Sequence, residues 1–353
     1  MIDLIWNVNT LTRDLTVYLE NQVKINLSGS GVGLSLVLGF GAAYICYYLS
    51  SVAKKPQLIT GATRLSQFLQ RYCPVVTETY YPTFWCWEAR VQTLLRPFIT
   101  TKPYVEYRNE LIKTADGGHI SLDWSDSDDN ALYPISTTRP TVLILPGLTG
   151  TSKESYILHM VKQSEILGYR CVIFNNRGVS GEKLLTPRTY CAANTEDLET
   201  VISHVQKTFV EAPLMAAGVS MGGHRHVLEK LFDIDYILKA KTIREFDERF
   251  TSLMFGYKTI ADYYRDASPN HKLKSIEIPV LCLNALDDVF SPGHAIPTQS
   301  AKQNPKVALL LTAHGGHIGF LEGIFPRWAT YMDRVFKQFI QAVFEHKDEL
   351  KNT

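Results

Sequence analysis

The chain has no excess of charge of either sign: 36 Lys and Arg stand against 35 Asp and Glu in 353 residues, and no dense block of like charge occurs. Binding a nucleic-acid backbone needs a concentrated positive surface, so nucleic acid is excluded as the main partner. Cysteine is scarce as well. The six (Cys46, Cys73, Cys86, Cys171, Cys191 and Cys282) form no C-x-x-C pair and fall mostly in apolar runs. That excludes a disulfide framework and a structural metal, and reads as buried thiols. Internal repeats and low-complexity tracts are absent. What is abundant is apolar: 45% of residues are hydrophobic and 20% charged, enough for a sizeable core.

The longest stretch without charge lies near the N-terminus, from Ile25 to Ala53. Within it, residues 31–52 (GVGLSLVLGFGAAYICYYLSSV) are mostly apolar or small. A helix of that length reaches ~33 Å, enough for the hydrocarbon core of a bilayer. Lys54, Lys55 and Pro56 end it, and Tyr44, Tyr47 and Tyr48 gather there as an interfacial belt would. The mixed segment before it, with Asp3, Arg13, Asp14 and Glu20, does not suit a cleaved signal peptide. The expectation is an uncleaved single-pass anchor in an endomembrane such as the endoplasmic reticulum. Its orientation is undetermined, because basic residues flank both ends. Residues 1–30 read as an N-terminal amphipathic segment, with Leu4, Ile5, Leu11, Leu15, Tyr18 and Leu19 at near-helical spacing.

Residues 53–103 form an aromatic-rich connecting region. Tyr80, Tyr81, Phe84, Trp85 and Trp87 there read either as packing onto the next domain or as an apolar platform where acyl chains enter. From 104 to 353 the texture is α/β. A hairpin is expected around Asp116-Gly117-Gly118. Buried strands are expected at 141–145 (TVLIL), 170–174 (RCVIF), 214–219 (LMAAGV), 279–284 (PVLCLN) and 307–312 (VALLLT). Nearly continuous apolar runs of this kind belong to a mostly parallel sheet covered on both faces, with helices at 155–167, 194–208 and 328–345 between or after them.

Gly218-Val219-Ser220-Met221-Gly222 fits G-x-S-x-G at a strand-to-helix junction, where a serine is held on a strained turn. A serine hydroxyl is a poor nucleophile until a base, oriented by a carboxylate, takes its proton. Asp288 follows the 279–284 strand and stands four residues before Pro292; Asp287 beside it would brace the turn. His317 follows the 307–312 strand through Gly315-Gly316, with His314 as the fallback. No third ligand accompanies His314 and His317, or His224 and His226, so a metal pair is not favoured. Oxyanion donors are expected from the N–H groups of Met221 and of Leu148, in Pro146-Gly147-Leu148-Thr149-Gly150. No Gly-Lys-Ser/Thr follows that loop, so it is not a phosphate loop. Asn176-Arg177-Gly178 reads as a turn bracing the serine loop.

Together with the anchor, the motifs LPGLTG, FNNRG, AAGVSMGG, LNALDD and GGHIGFLEG resemble the α/β-hydrolase superfamily, in particular a membrane-bound subfamily that includes phospholipases. The resemblance covers nearly the whole chain. It implies an α/β-hydrolase fold and a Ser220–Asp288–His317 triad. It also implies phospholipase A-type hydrolysis of glycerophospholipid acyl esters such as those of phosphatidylcholine, with no cofactor or metal. The implied partners are the bilayer and its phospholipids; no obligate protein partner is inferred. Alternatives are an acyltransferase or thioesterase on the same scaffold, or a catalytically impaired, membrane-tethered binding module. The last arises from a departure: the family's elbow is followed by a helix of small residues and another buried strand, whereas here Gly223 runs into His224-Arg225-His226. Loss of an interior strand leaves its neighbours unpaired or draws the later strands inward by ~4.8 Å, and triad chemistry fails with far smaller displacements.

Overall fold

The computed structural model describes residues 17, 32–61, 63–126, 130–147, 149–191, 193–220, 240–268 and 272–351. Two compact units divide the chain between Lys54 and Lys55. In the first, helix α1 (Val32–Tyr47) continues into a π-helical turn (Tyr48–Val52). Its large apolar side chains, Leu36, Val37, Leu38, Phe40, Ile45 and Leu49, are exposed. Among the described residues no helix is long and apolar enough to cross a membrane. Apart from Val17, the expected amphipathic segment lies outside the described residues.

The second unit holds two sheets. The larger has the order β2-β3-β5-β4-β6, built from β2 (Arg108–Lys113), β3 (His119–Ser125), β4 (Thr141–Leu145), β5 (Arg170–Asn175) and β6 (Leu214–Gly218). β2 and β3 make the expected hairpin, with Lys113 opposite His119. The β4–β5 and β4–β6 pairs are parallel. The smaller sheet has the order β1-β8-β7, from β1 (Gln57–Ile59), β7 (Val280–Ala285) and β8 (Val307–Thr312). β1 pairs antiparallel with β8, so residues in the region expected to be a connector supply a strand of the hydrolase unit.

The division between the sheets falls where the sequence is short of a strand. Among the described residues β6 pairs only with β4, and β7 only with β8. β4, β5 and β8 are buried almost throughout, whereas β6 and β7 are half-exposed along most of their length. Their apolar runs predict more burial than their neighbours among the described residues provide. The two sheets are joined instead by one helix, α8 (Tyr331–Glu345). Its Tyr331, Val335 and Phe339 pack with Ala285, Ala308 and Leu310 of the small sheet. On its adjoining face, Phe336 and Ile340 pack with Val142, Ile144 and Ile173 of the large one. Met215 of β6 and Met332 of α8 touch both clusters. A close-packed helix holds the sheets at a set spacing even without a strand between them. α8 begins at Tyr331, not near Trp328, because Thr330 and Asp333 form a capping box there.

Helices α2 (Thr63–Tyr72) and α3 (Ala89–Ile99) precede the large sheet; α4 (Ser155–Ile166) and α5 (Glu196–Thr208) follow β4 and β5, α6 (Ile260–Ala267) precedes β7, and α7 (Thr298–Gln303) lies between β7 and β8. In the turn expected to brace the serine loop, the Arg177 side chain takes other partners among the described residues. Its buried guanidinium reaches Asp197 in the first turn of α5 at 2.5 and 2.7 Å, and Asp116 in the β2–β3 turn at 2.6 Å. All six cysteines are free; Cys73, Cys86, Cys171 and Cys191 are buried and Cys282 half-buried, while Cys46 on α1 is exposed, against the expectation for it.

Candidate active site

Ser220 stands one residue past Val219, whose N–H continues the ladder to Leu145 at 3.0 Å. The strand stops there because Ser220 turns into the left-handed region, with φ +47°. That conformation is costly for a residue with a side chain, and it throws the hydroxyl outward from the end of β6. Ser220 Oγ lies 2.6 Å from His317 Nε2. The other ring nitrogen, Nδ1, lies 2.9 Å from Asp288 Oδ2 and 3.2 Å from Oδ1. The three expected residues therefore meet, and the displacement anticipated from the shortened chain does not occur. Asp288 is buried, and its Oδ1 also accepts the N–H groups of Phe290 (2.7 Å) and Ser291 (3.1 Å). These bonds fix the carboxylate's direction. The edge of Phe290 covers the His317 ring, with centroids 4.9 Å apart.

Asp287 and His314 form a second pair at 3.0 Å, and Asp287 Oδ1 accepts the Gly316 N–H at 2.9 Å. Asp287, expected to cap or brace its own turn, thus braces the histidine loop. His314 is occupied there and does not reach Ser220. The loop is also held from a helix far away in the sequence, α3. Thr93 Oγ1 on α3 accepts the His317 N–H at 2.9 Å, and buried Gln92 Oε1 accepts the Leu321 N–H at 2.9 Å. Gly316, at φ +57°, passes so close to α3 that a Cβ would lie 2.3 Å from the Ala89 carbonyl oxygen. No local pattern announces Thr93 or Gln92, because their partners lie more than 200 positions away.

Leu148 and Met221, the expected oxyanion donors, lie outside the described residues. Their surroundings are described. Gly147 approaches the elbow so closely that a Cβ would sit 2.9 Å from Val219 O and 3.0 Å from Ser220 Cβ. The Gly147 N–H donates to Tyr156 Oη at 2.9 Å and the Thr149 N–H to Tyr190 Oη at 3.4 Å. Burial pushes the Tyr190 phenol up to about 12 and raises Tyr156, so both are neutral acceptors at ordinary pH. Two tyrosines thus hold the loop on either side of residue 148. His224 and His226 also lie outside the described residues.

No protein-family model matches the chain. Phospholipase ABHD3 of Bos taurus and of Mus musculus are each 60% identical to it over 407 aligned positions, covering 99% of this chain and 99% of theirs. Human Phospholipase ABHD3 is likewise 60% identical, over 98% of this chain and 99% of its own. An alignment of 407 positions against a chain of 353 residues leaves at least 54 positions that face no residue here, in keeping with an internal segment missing from this chain. Among solved structures, an esterase of Pyrococcus furiosus aligns with a TM-score of 0.44 and 18% identity, over 67% of this chain and 92% of that one. With 60% identity sustained from end to end, the chain belongs to the α/β-hydrolase family of the ABHD3 phospholipases.

Proposed function

We propose that this chain is a membrane-anchored serine hydrolase that cleaves acyl esters of glycerophospholipids, phosphatidylcholine among them. Ser220 Oγ attacks the ester carbonyl while His317 Nε2 takes its proton, and Asp288 holds the ring and offsets the charge it gains. The Leu148 and Met221 N–H groups receive the developing oxyanion. Collapse expels the lysophospholipid alkoxide, which takes the proton back from His317; water then attacks the acyl-serine by the same route in reverse. The relay from Ser220 Oγ through His317 to Asp288, at 2.6 and 2.9 Å, is the observation that carries this reading. The substrate class rests on the relatives' names. Anchoring rests on the charge-free run over residues 31–52, in which helical backbone continues from Val32 to Val52.

A catalytically impaired, membrane-tethered module is the second reading, favoured by β6 having, among the described residues, a strand neighbour on one side only. One experiment separates them. The full chain in detergent micelles is treated with a fluorophosphonate that labels activated serines, and lysophospholipid release from phosphatidylcholine is followed by mass spectrometry. Labelling and release that both vanish in Ser220→Ala support the hydrolase. A parent chain that neither labels nor releases product refutes it. Acyl transfer to an added alcohol in preference to water would assign a transferase.

A further inference from the structure

Several large apolar side chains stand exposed on neighbouring segments of the hydrolase unit. Leu94 and Phe98 stand one turn apart on α3, and Phe98 is 86% exposed. Beside them runs the segment that leaves the candidate base: Ile324, Phe325 (76% exposed) and Trp328 (71% exposed). These pieces form one surface because hydrogen bonds pin them together. The Thr101 N–H, two residues past α3, donates to Arg327 O at 2.8 Å. Trp85 Nε1–H, before α3, donates to Ile324 O at 2.8 Å. The Arg327 N–H folds back on Phe325 O at 2.8 Å. Internal packing explains none of this exposure, since the same segments bury other residues: Gln92 and Leu321 are fully enclosed. A contiguous apolar patch rimmed by polar residues marks a contact surface.

The charges at its rim indicate what covers it. Arg90, Lys102 and Arg327 are exposed and, among the described residues, enter no ion pair, whereas exposed Glu88 is used as the α3 cap on the Val91 N–H. Basic side chains around tryptophan and phenylalanine suit a phospholipid surface, with rings at the acyl boundary and cations at the phosphates. The patch also lies on the structure that positions the site: α3 turns Leu94 and Phe98 outward and gives Thr93 to His317.

We propose that this face, made by Trp85, Leu94, Phe98, Ile324, Phe325 and Trp328, seats in the phospholipid surface on which the enzyme acts, independently of the N-terminal anchor. The proposal rests on the phospholipid-hydrolase reading and adds a second membrane contact to it. The hydrolase unit then takes its lipid from the surface in which this face is seated.

The test uses the full chain and the variant F98S/F325S/W328S. Each is assayed on phosphatidylcholine vesicles and on a soluble ester, p-nitrophenyl butyrate, and its thermal midpoint is measured. A vesicle rate lowered tenfold or more, with the soluble ester within twofold and the midpoint unchanged, is expected. An unchanged vesicle rate, or an equal loss on both substrates, overturns the proposal. A milder variant, Arg327→Glu, is expected to lose vesicle turnover more steeply as the anionic lipid fraction rises; no dependence on that fraction counts against a lipid-facing rim. If the parent chain hydrolyses neither substrate, the hydrolase reading fails by itself. The surface is then read by tryptophan quenching in vesicles of acyl-brominated phosphatidylcholine, comparing the parent with Trp328→Phe, so that the other four tryptophans, Trp6 included, are background common to both chains. Quenching that falls in Trp328→Phe upholds the contact, and quenching equal in the two chains overturns it.

Discussion

Replacing Thr93 by valine keeps the side chain's branched shape and removes one hydroxyl, the one that accepts the His317 N–H at 2.9 Å and donates to Ala89 O at 2.7 Å. The His317 N–H then faces a methyl group in a part-buried place. A buried donor left without a partner costs about 1–3 kcal/mol, and partial access to water puts this one near ~1–2 kcal/mol. The loop cannot recover the bond by moving toward α3, since Gly316 already approaches that helix as closely as a residue without a Cβ can. It can move only outward, which lengthens the 2.6 Å contact between His317 and Ser220. Expressed wholly in the transition state, that energy lowers kcat/KM by roughly 5- to 30-fold. The measurements are the rate of Ser220 labelling by a fluorophosphonate and phosphatidylcholine hydrolysis in mixed micelles. Thr93→Ser, which keeps the hydroxyl, serves as the control within about threefold of the parent. A valine variant within twofold of the parent in both assays would refute the claim that α3 positions the base.

Tyr156→Phe removes the acceptor of the Gly147 N–H and frees the loop expected to supply an oxyanion donor. A fall in kcat of roughly fivefold or more with KM unchanged is expected, with a trifluoromethyl ketone weakened by the same factor; a change in KM alone would count against it. Arg177→Met leaves the buried Asp197 without its partner and should lower stability in urea unfolding by about 3–5 kcal/mol, a loss under 1 kcal/mol contradicting the role assigned to it. The Arg177 hydrogen bond also holds the Asp116 carboxyl well below the usual carboxylate range. Its stabilising effect is therefore complete above an ordinary carboxyl pKa of about 4 and lost as pH falls below that. The parent should lose stability on acidification below pH ~4 more steeply than Arg177→Met, and parallel curves would refute the linkage.

Much of the larger sheet was legible in the letters because its strands are local: TVLIL and RCVIF are apolar without interruption and lie on both-face-covered strands, and Asp116-Gly117-Gly118 can hardly do other than turn. The elbow was legible for the same reason, since G-x-S-x-G beside a strand end states its own backbone need. So were the places of Asp288 and His317, each in the loop after an apolar run. The short strand Gln57–Ile59 carried no comparable signal. Three residues make too brief a pattern, and it forms only because β8 offers an edge more than 240 positions away.

What tertiary structure alone decided is whether those three side chains touch. By strand count, the shortened stretch after Gly223 leaves open whether they meet. The spacing is held by packing across α8, whose Val335 and Phe339 seat one sheet and Phe336 and Ile340 the other. A dense core transmits position through side-chain volume whether or not a hydrogen-bonded strand fills the space between, and no run of residues read alone carries that information. The support from Thr93, Gln92 and Tyr156 is of the same kind, because it depends on which distant segments the core brings together.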